Sequence, residues 1–168
     1  QEVMLKALVA HEVLPGNTIL LVDVSGSMDG ALSAKSDMSR IDAASGLAIL
    51  LREICEKASI YTFSSNCKSV PPRHGFALRD AINSSQSHSS TFTGEAVTHI
   101  NKTERYDRLI IITDEQSHDS VPNPKGKGYI VNVAPYKNGI GYGAYTHVDG
   151  FSEAIINYIV EYEKEPKQ

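Results

Sequence analysis

Ile19-Leu20-Leu21-Val22-Asp23-Val24-Ser25-Gly26-Ser27 decides how this chain is read. The four apolar residues at its head read as a strand buried on both faces. Directly after them one carboxylate and two hydroxyls recur at alternate positions. Alternate side chains of an extended segment share a face. Asp23, Ser25 and Ser27 can therefore present three hard oxygens to one point, a donor set suited to a cation such as Mg²⁺. Taken alone, the same residues also make an ordinary turn.

Two later segments favour the cation. Leu109-Ile110-Ile111-Ile112-Thr113-Asp114 is a second buried strand running into a carboxylate, and Ser89-Ser90-Thr91-Phe92-Thr93-Gly94-Glu95-Ala96 brings hydroxyls to the start of a helix. In an open parallel sheet, sites form at the carboxyl ends of the strands, where both acidic strand ends and the Thr loop can converge.

The rest of the chain alternates in the same way. Val3 to Val13 reads as a short helix, Leu14-Pro15-Gly16-Asn17 as a turn and Thr18 to Val24 as the first strand. Met28 to Ser39 is a polar loop. A helix capped by Ser39, with Asp42 three residues on, carries Ile41, Ala44, Ala48, Leu51, Cys55 and Ala58 on its core face, widened by Leu47, Leu50 and Ile54. Ser59 to Phe63 and Lys68 to Val70 follow as strands, Phe76 to Ile82 and Gly94 to Ile100 as helices, and Asp107 to Thr113 as a strand. Glu115 to Lys127 is a loop, Tyr129 to Ala134 a strand, Asn138-Gly139 a turn, and Tyr145 to Val148 a last short strand before a helix with Phe151, Ala154, Ile155, Tyr158, Ile159 and Tyr162 inward. This alternation predicts an α/β fold, a doubly wound and mostly parallel sheet flanked by helices.

The three segments, in this order, resemble the metal-ion-dependent adhesion site of von Willebrand factor A domains, written DxSxS, then Thr, then Asp. The resemblance spans about Thr18 to Tyr162. It implies a metal site of Asp23, Ser25, Ser27, Thr91 and Asp114, taking Mg²⁺ or else Mn²⁺ or Ca²⁺. Thr91 matches because family members usually use the first Thr of T-x-T. Thr93 then becomes the cap of the following helix, with Glu95 in its first turn, and it is the alternative ligand. Two carboxylates roughly neutralise a divalent ion, which stays electrophilic and suited to an acidic group from a partner protein or domain. Hydrolysis would need a base near bound water; His88 and His118 are the nearest candidates and read better as solvated loop residues. Glu115 reads as a loop acid, and the expectation is a binding domain, not an enzyme.

Composition sets the class. The chain has 168 residues, 41% hydrophobic and 21% charged, which suits one globular domain. No apolar run reaches the roughly 18–20 residues that span a bilayer, so no membrane partner is expected. Cys55 and Cys67 read as free thiols of a reducing, cytoplasmic setting. The net charge of −4 comes without a basic stripe: Lys125 and Lys127 flank a Gly, and Arg52 and Lys57 have acidic neighbours. That is a poor main surface for nucleic acid. Met4, Met28 and Met38 show no functional spacing, and Tyr136, Tyr142 and Tyr145 read as rim-packing residues before RNA-stacking ones.

Leu14 to Met28 also looks like the corresponding stretch of bacterial Ro (TROVE-family) proteins, as do Phe63-Ser64-Ser65 with Val70-Pro71-Pro72, and Gly150 to Ile155. There an A-like domain follows a ring of helical repeats that binds small noncoding and misfolded RNA in a ribonucleoprotein. The resemblance implies an excised domain, with residues 1–13 a connecting helix and 14–168 the A-like domain. RNA binding then belongs to the parent protein, and the isolated domain is a monomer. The alternatives are a non-Ro von Willebrand A scaffold or adhesion module and, less favoured, a metal-dependent hydrolase.

Overall fold

The computed structural model describes residues 14–29, 39–64, 66–71, 75–86, 92–114, 121–133, 145–149, 159–161 and 163. Its strands are β1 (Leu14–Asp23), β2 (Cys55–Phe63), β3 (Cys67–Val70), β4 (Arg108–Thr113), β5 (Lys127–Asn132) and β6 (Thr146–Asp149). Its helices are α1 (Arg40–Ile54), α2 (Gly75–Asn83) and α3 (Thr93–Thr103). The sheet has six strands in the order β3-β2-β1-β4-β5-β6, and every pair is parallel except the β2–β3 hairpin. This is the expected doubly wound α/β fold.

Period-two alternation divides the core. Leu20, Val22, Ile110, Ile112 and Val131 face one layer with α1, α2 and the helical residues Ile159 and Val160. Ile19, Leu21, Leu109, Ile111 and Ile130 face Ala96, Val97 and Ile100 of α3 on the other. A right-handed crossover places a helix on a face set by the direction in which the chain moves along the sheet. From β1 the chain moves to β2 through α1, and it then returns past β1 to β4 through α3. The two helices therefore lie on opposite faces, and β1 and β4 flank the point where the winding reverses.

Several boundaries differ from the sequence reading. The Leu14-Pro15-Gly16-Asn17 turn is instead the irregular start of β1, with a register shift between Leu14 and Asn17 and Gly16 at φ 83°. A Cβ at Gly16 would also collide with the Asp107 carboxylate, and that carboxylate accepts the Asn17 amide at 2.8 Å. Cys55 and Ala58 are not helical. Cys55 still donates its amide to Leu51 O, but its backbone is extended and it begins β2 without an intervening loop. The apolar spacing continues across that junction because both elements bury the same side. Met28 is not a loop residue: it sits in the short 3₁₀ turn Gly26–Asp29 and is fully buried. The Ser39 cap is as expected, with Ser39 Oγ accepting the Asp42 amide at 3.2 Å. The proposed connecting helix, the Asn138-Gly139 turn and most of the final helix lie outside the described residues.

At the amino-terminal edge of the sheet, Arg108 is almost fully buried and forks onto Glu163, with Nε 2.5 Å from Oε2 and Nη2 on Oε1. Its Nη1 donates to Thr18 Oγ1 at 2.8 Å and to Pro15 O at 3.2 Å, while Tyr129 Oη donates to Glu163 Oε2 at 2.9 Å. Burial alone would raise the Glu163 carboxyl. The hydrogen bonds and charge of Arg108 outweigh it and hold the group below its usual range. This clamp ties the final helical residues to β1, β4 and β5.

Candidate metal centre

Asp23 ends β1, and Asp114 follows the last residue of the neighbouring β4. The register sets Val22 opposite Ile112, which brings the two carboxylates to the carboxyl edge of adjacent strands at the reversal point of the sheet. Clefts form there in open α/β sheets because the connections on either side leave in opposite directions.

Both carboxylates are fully buried, as is Ser25. Asp23 Oδ1 accepts the Ser25 amide at 2.8 Å, the alternate-residue turn that the D-x-S spacing suggested. Asp23 Oδ2 accepts the Thr113 hydroxyl at 2.7 Å. Met28 donates its amide to Ser25 O at 3.0 Å and closes the 3₁₀ turn. Burial lifts the Asp23 carboxyl from 3.8 to about 6. The bonds from Ser25 and Thr113 work against that rise, and the charge of Asp114 adds to it. Two buried carboxylates that repel one another are a site in want of positive charge.

Part of that charge comes from a residue the sequence reading did not single out. Arg40, the first residue of α1, sets Nη1 3.2 Å from Asp114 Oδ2. A cation in the first turn opposes the helix dipole, so its placement was the available signal. Thr113 likewise reads in the sequence only as a strand residue. Alternation puts it on the face of Asp23, one strand over.

The start of α3 is tied to the β2–β3 turn. Val24 donates its amide to Phe63 O at 2.9 Å and Phe92 to the adjacent Ser64 O at 3.2 Å, so the end of β2 and the buried Ser64 after it join β1 to the start of α3. Gln86 Nε2 braces the same turn through Asn66 O at 3.0 Å. Thr93 is not the cap of α3. Phe92 is, in a non-helical conformation with no side-chain bond, and Thr93 is the first helical residue, with Glu95 in the first turn as expected. The Phe92 amide is already engaged by Ser64, which fixes the chain's entry one residue earlier. Thr93 Oγ1 is left buried without a hydrogen-bond partner. A hydroxyl in that condition is costly, and a cation or its water would satisfy it.

The donor chemistry fits a small hard cation: two carboxylates with neutral hydroxyls. Among the described residues no group of three or more His, Cys, Asp or Glu could hold a metal. Thr91, Glu115, His88 and His118 lie outside the described residues, as does the Ser27 side chain, although its backbone forms part of the 3₁₀ turn. Tyr145 packs, as expected, donating to Pro122 O at 2.8 Å; Tyr136 and Tyr142 lie outside the described residues. Cys55 and Cys67 are free, and burial pushes both thiols up, Cys67 to about 12. Both thiols are therefore held protonated at neutral pH, which disfavours nucleophilic reactivity.

No family model and no curated protein sequence matches the chain. Among solved structures it is similar to the Ro (RSR) protein of Deinococcus radiodurans, with TM-score 0.71 and 18% identity over 93% of this chain. The chain spans only 36% of that protein's length. It is also similar to an aerotolerance-related membrane protein from Bacteroides fragilis, with TM-score 0.62 and 11% identity over 88% of this chain and 97% of that one. BatB from Bacteroides thetaiotaomicron gives TM-score 0.57 and 16% identity over 86% of this chain and 95% of that one. The fold is thus the von Willebrand A-like one, with a Ro protein among its structural neighbours.

Proposed function

We propose that this chain is a divalent-cation-binding interaction domain. Asp23, Ser25, Ser27, Thr91 and Asp114 hold the ion, Mg²⁺ first and Mn²⁺ or Ca²⁺ otherwise, and Thr93 is the alternative to Thr91. The single observation that carries the reading is the pair of fully buried carboxylates, Asp23 and Asp114, at the reversal point of the sheet. The ion supplies an electrophilic position for an acidic group of a partner. The chain's own residues bring the carboxylates together, orient Asp23 through Ser25 and Thr113, and exclude water from both. In this reading the domain binds without turnover.

The parent protein in this reading is Ro-like, cytoplasmic, and binds small noncoding or misfolded RNA outside this domain. Likeness to the Deinococcus Ro fold and the acidic balance of −4 support that division. No helix among the described residues is long and apolar enough to cross a membrane. A second reading is a scaffold module outside the Ro family. It draws on the two Bacteroides neighbours, which match this domain over nearly their whole solved length.

Calorimetric titration with Mg²⁺ and Mn²⁺ tests the proposal. Saturable binding in the wild type that is lost in Asp23→Ala is expected. Absence of binding in the wild type refutes a cation site in the isolated domain. RNA retention by the isolated domain would move the RNA surface into this chain.

A further inference from the structure

Resting on the cation-site reading above, we infer that Arg40 is the affinity-determining residue of that site, an internal cation that competes with the divalent ion for Asp114. Arg40 Nη1 is 3.2 Å from Asp114 Oδ2, and the two side chains are 13% and 0% exposed. The pair is therefore shielded from solvent, where a charge contact is worth far more than at the surface. Guanidinium is permanently charged and weakly hydrated, which suits it to burial beside a carboxylate.

Two features mark the contact as part of the site. Arg40 opens α1, where the helix dipole disfavours a cation, yet the Ser39 cap fixes that first turn and holds Arg40 in place. Asp114 is also the carboxylate whose charge reaches Asp23. Arg40 thus neutralises one of a repelling pair.

Charge counting gives the consequence. Asp23, Asp114 and Arg40 sum to −1 when all are charged. A divalent ion brings the set to +1, which a single partner carboxylate neutralises. Without Arg40 the ion would bring the two carboxylates only to zero. Arg40 therefore weakens the hold on the ion, by occupying Asp114 and by repulsion, while leaving a net positive site for an anionic partner. A residue that instead oriented Asp114 for the metal would act with the opposite sign.

The test is calorimetric Mn²⁺ titration of wild type, Arg40→Gln and Arg40→Lys, with thermal unfolding in EDTA and in saturating Mn²⁺. Arg40→Gln should bind Mn²⁺ about tenfold or more tightly, the scale of one removed charge at partly shielded range. It should melt lower than wild type in EDTA, because the buried Asp114 loses its ion pair with Arg40, and should show the larger rise on adding Mn²⁺. Arg40→Lys keeps the charge and should stay within about threefold of wild type on the same argument. Unchanged or weaker binding in Arg40→Gln beside a wild type that binds overturns the inference and leaves the cation site standing. Equal tightening in Gln and Lys overturns it as a charge effect. Absence of binding in all three proteins overturns the cation site and the inference with it.

Discussion

Replacing Asp23 by Asn should stabilise the protein in EDTA while abolishing its response to divalent ions. In the absence of a cation the folded state buries the Asp23 carboxyl and raises it from 3.8 to about 6. Between those values the folded chain keeps a proton that the unfolded chain has released. The associated stability is fully present below about pH 4 and is lost as pH rises through about 6. At about 1.4 kcal/mol per pH unit, a difference of 6 − 3.8 amounts to about 3 kcal/mol of instability at pH 7. Asn carries no such penalty. Its carbonyl can keep the Ser25 amide, and its amide can donate to the Thr113 hydroxyl, which serves as donor or acceptor. Allowing for imperfect fit, the expected gain at pH 7 is about 1–3 kcal/mol, shrinking towards zero near pH 4. Urea denaturation of both proteins in EDTA across pH 4 to 7 measures it, and the same experiment in Mg²⁺ should favour the wild type. An Asp23→Asn protein less stable than wild type at pH 7 in EDTA, or a gap that does not close on acidification, would falsify the account of Asp23 as an electrostatically frustrated carboxylate.

Glu163→Gln should cost about 3–5 kcal/mol, because it leaves Arg108 buried without its counter-charge. The Glu163 contribution is present above its unfolded value and is lost as pH falls through its lowered folded value. The acid limb of the stability curve should therefore flatten in Glu163→Gln, and an unaltered limb counts against the clamp. Thr91→Ala should remove Mn²⁺ binding. Thr93→Val should leave binding within a few fold and raise stability in EDTA by about 1 kcal/mol, since it deletes an unpartnered buried hydroxyl. Weaker Mn²⁺ binding in Thr93→Val transfers the ligand role to Thr93. Cys55 and Cys67 should react slowly with a thiol reagent at pH 8 and fast in urea, because burial raises both thiols. Rapid native labelling would contradict that burial.

The strands of the reversal point were legible because runs such as Ile19 to Val22 and Leu109 to Ile112 are apolar on both faces, as a strand covered by helices on both sides requires. The helix at Ser39 was legible because a cap is a local interaction between residues three apart. Boundaries were less so. Leu14 to Asn17 carries the residues of a turn, but the Asp107 carboxylate and the Glu56 side chain accept its amides and draw it into β1. Cys55 continues a helical spacing and yet begins a strand, because the inward side is the same for both.

For the candidate site, the order and spacing of Asp23, Ser25 and Asp114 came from the sequence, since alternation in a strand is fixed by covalent geometry. It could not supply Thr113 and Arg40 as their neighbours. Those contacts join residues 90 and 74 positions apart, through strand register in one case and the docking of α1 in the other. Nor does local chemistry distinguish an Arg that faces water from one turned onto a buried carboxylate. What the sequence by itself determined was that the Asp23 and Asp114 carboxylates and Ser25 lie at the edge of the sheet. Only the tertiary structure decided which charges balance them, because electrostatic partners are chosen by distance in space and by the exclusion of water.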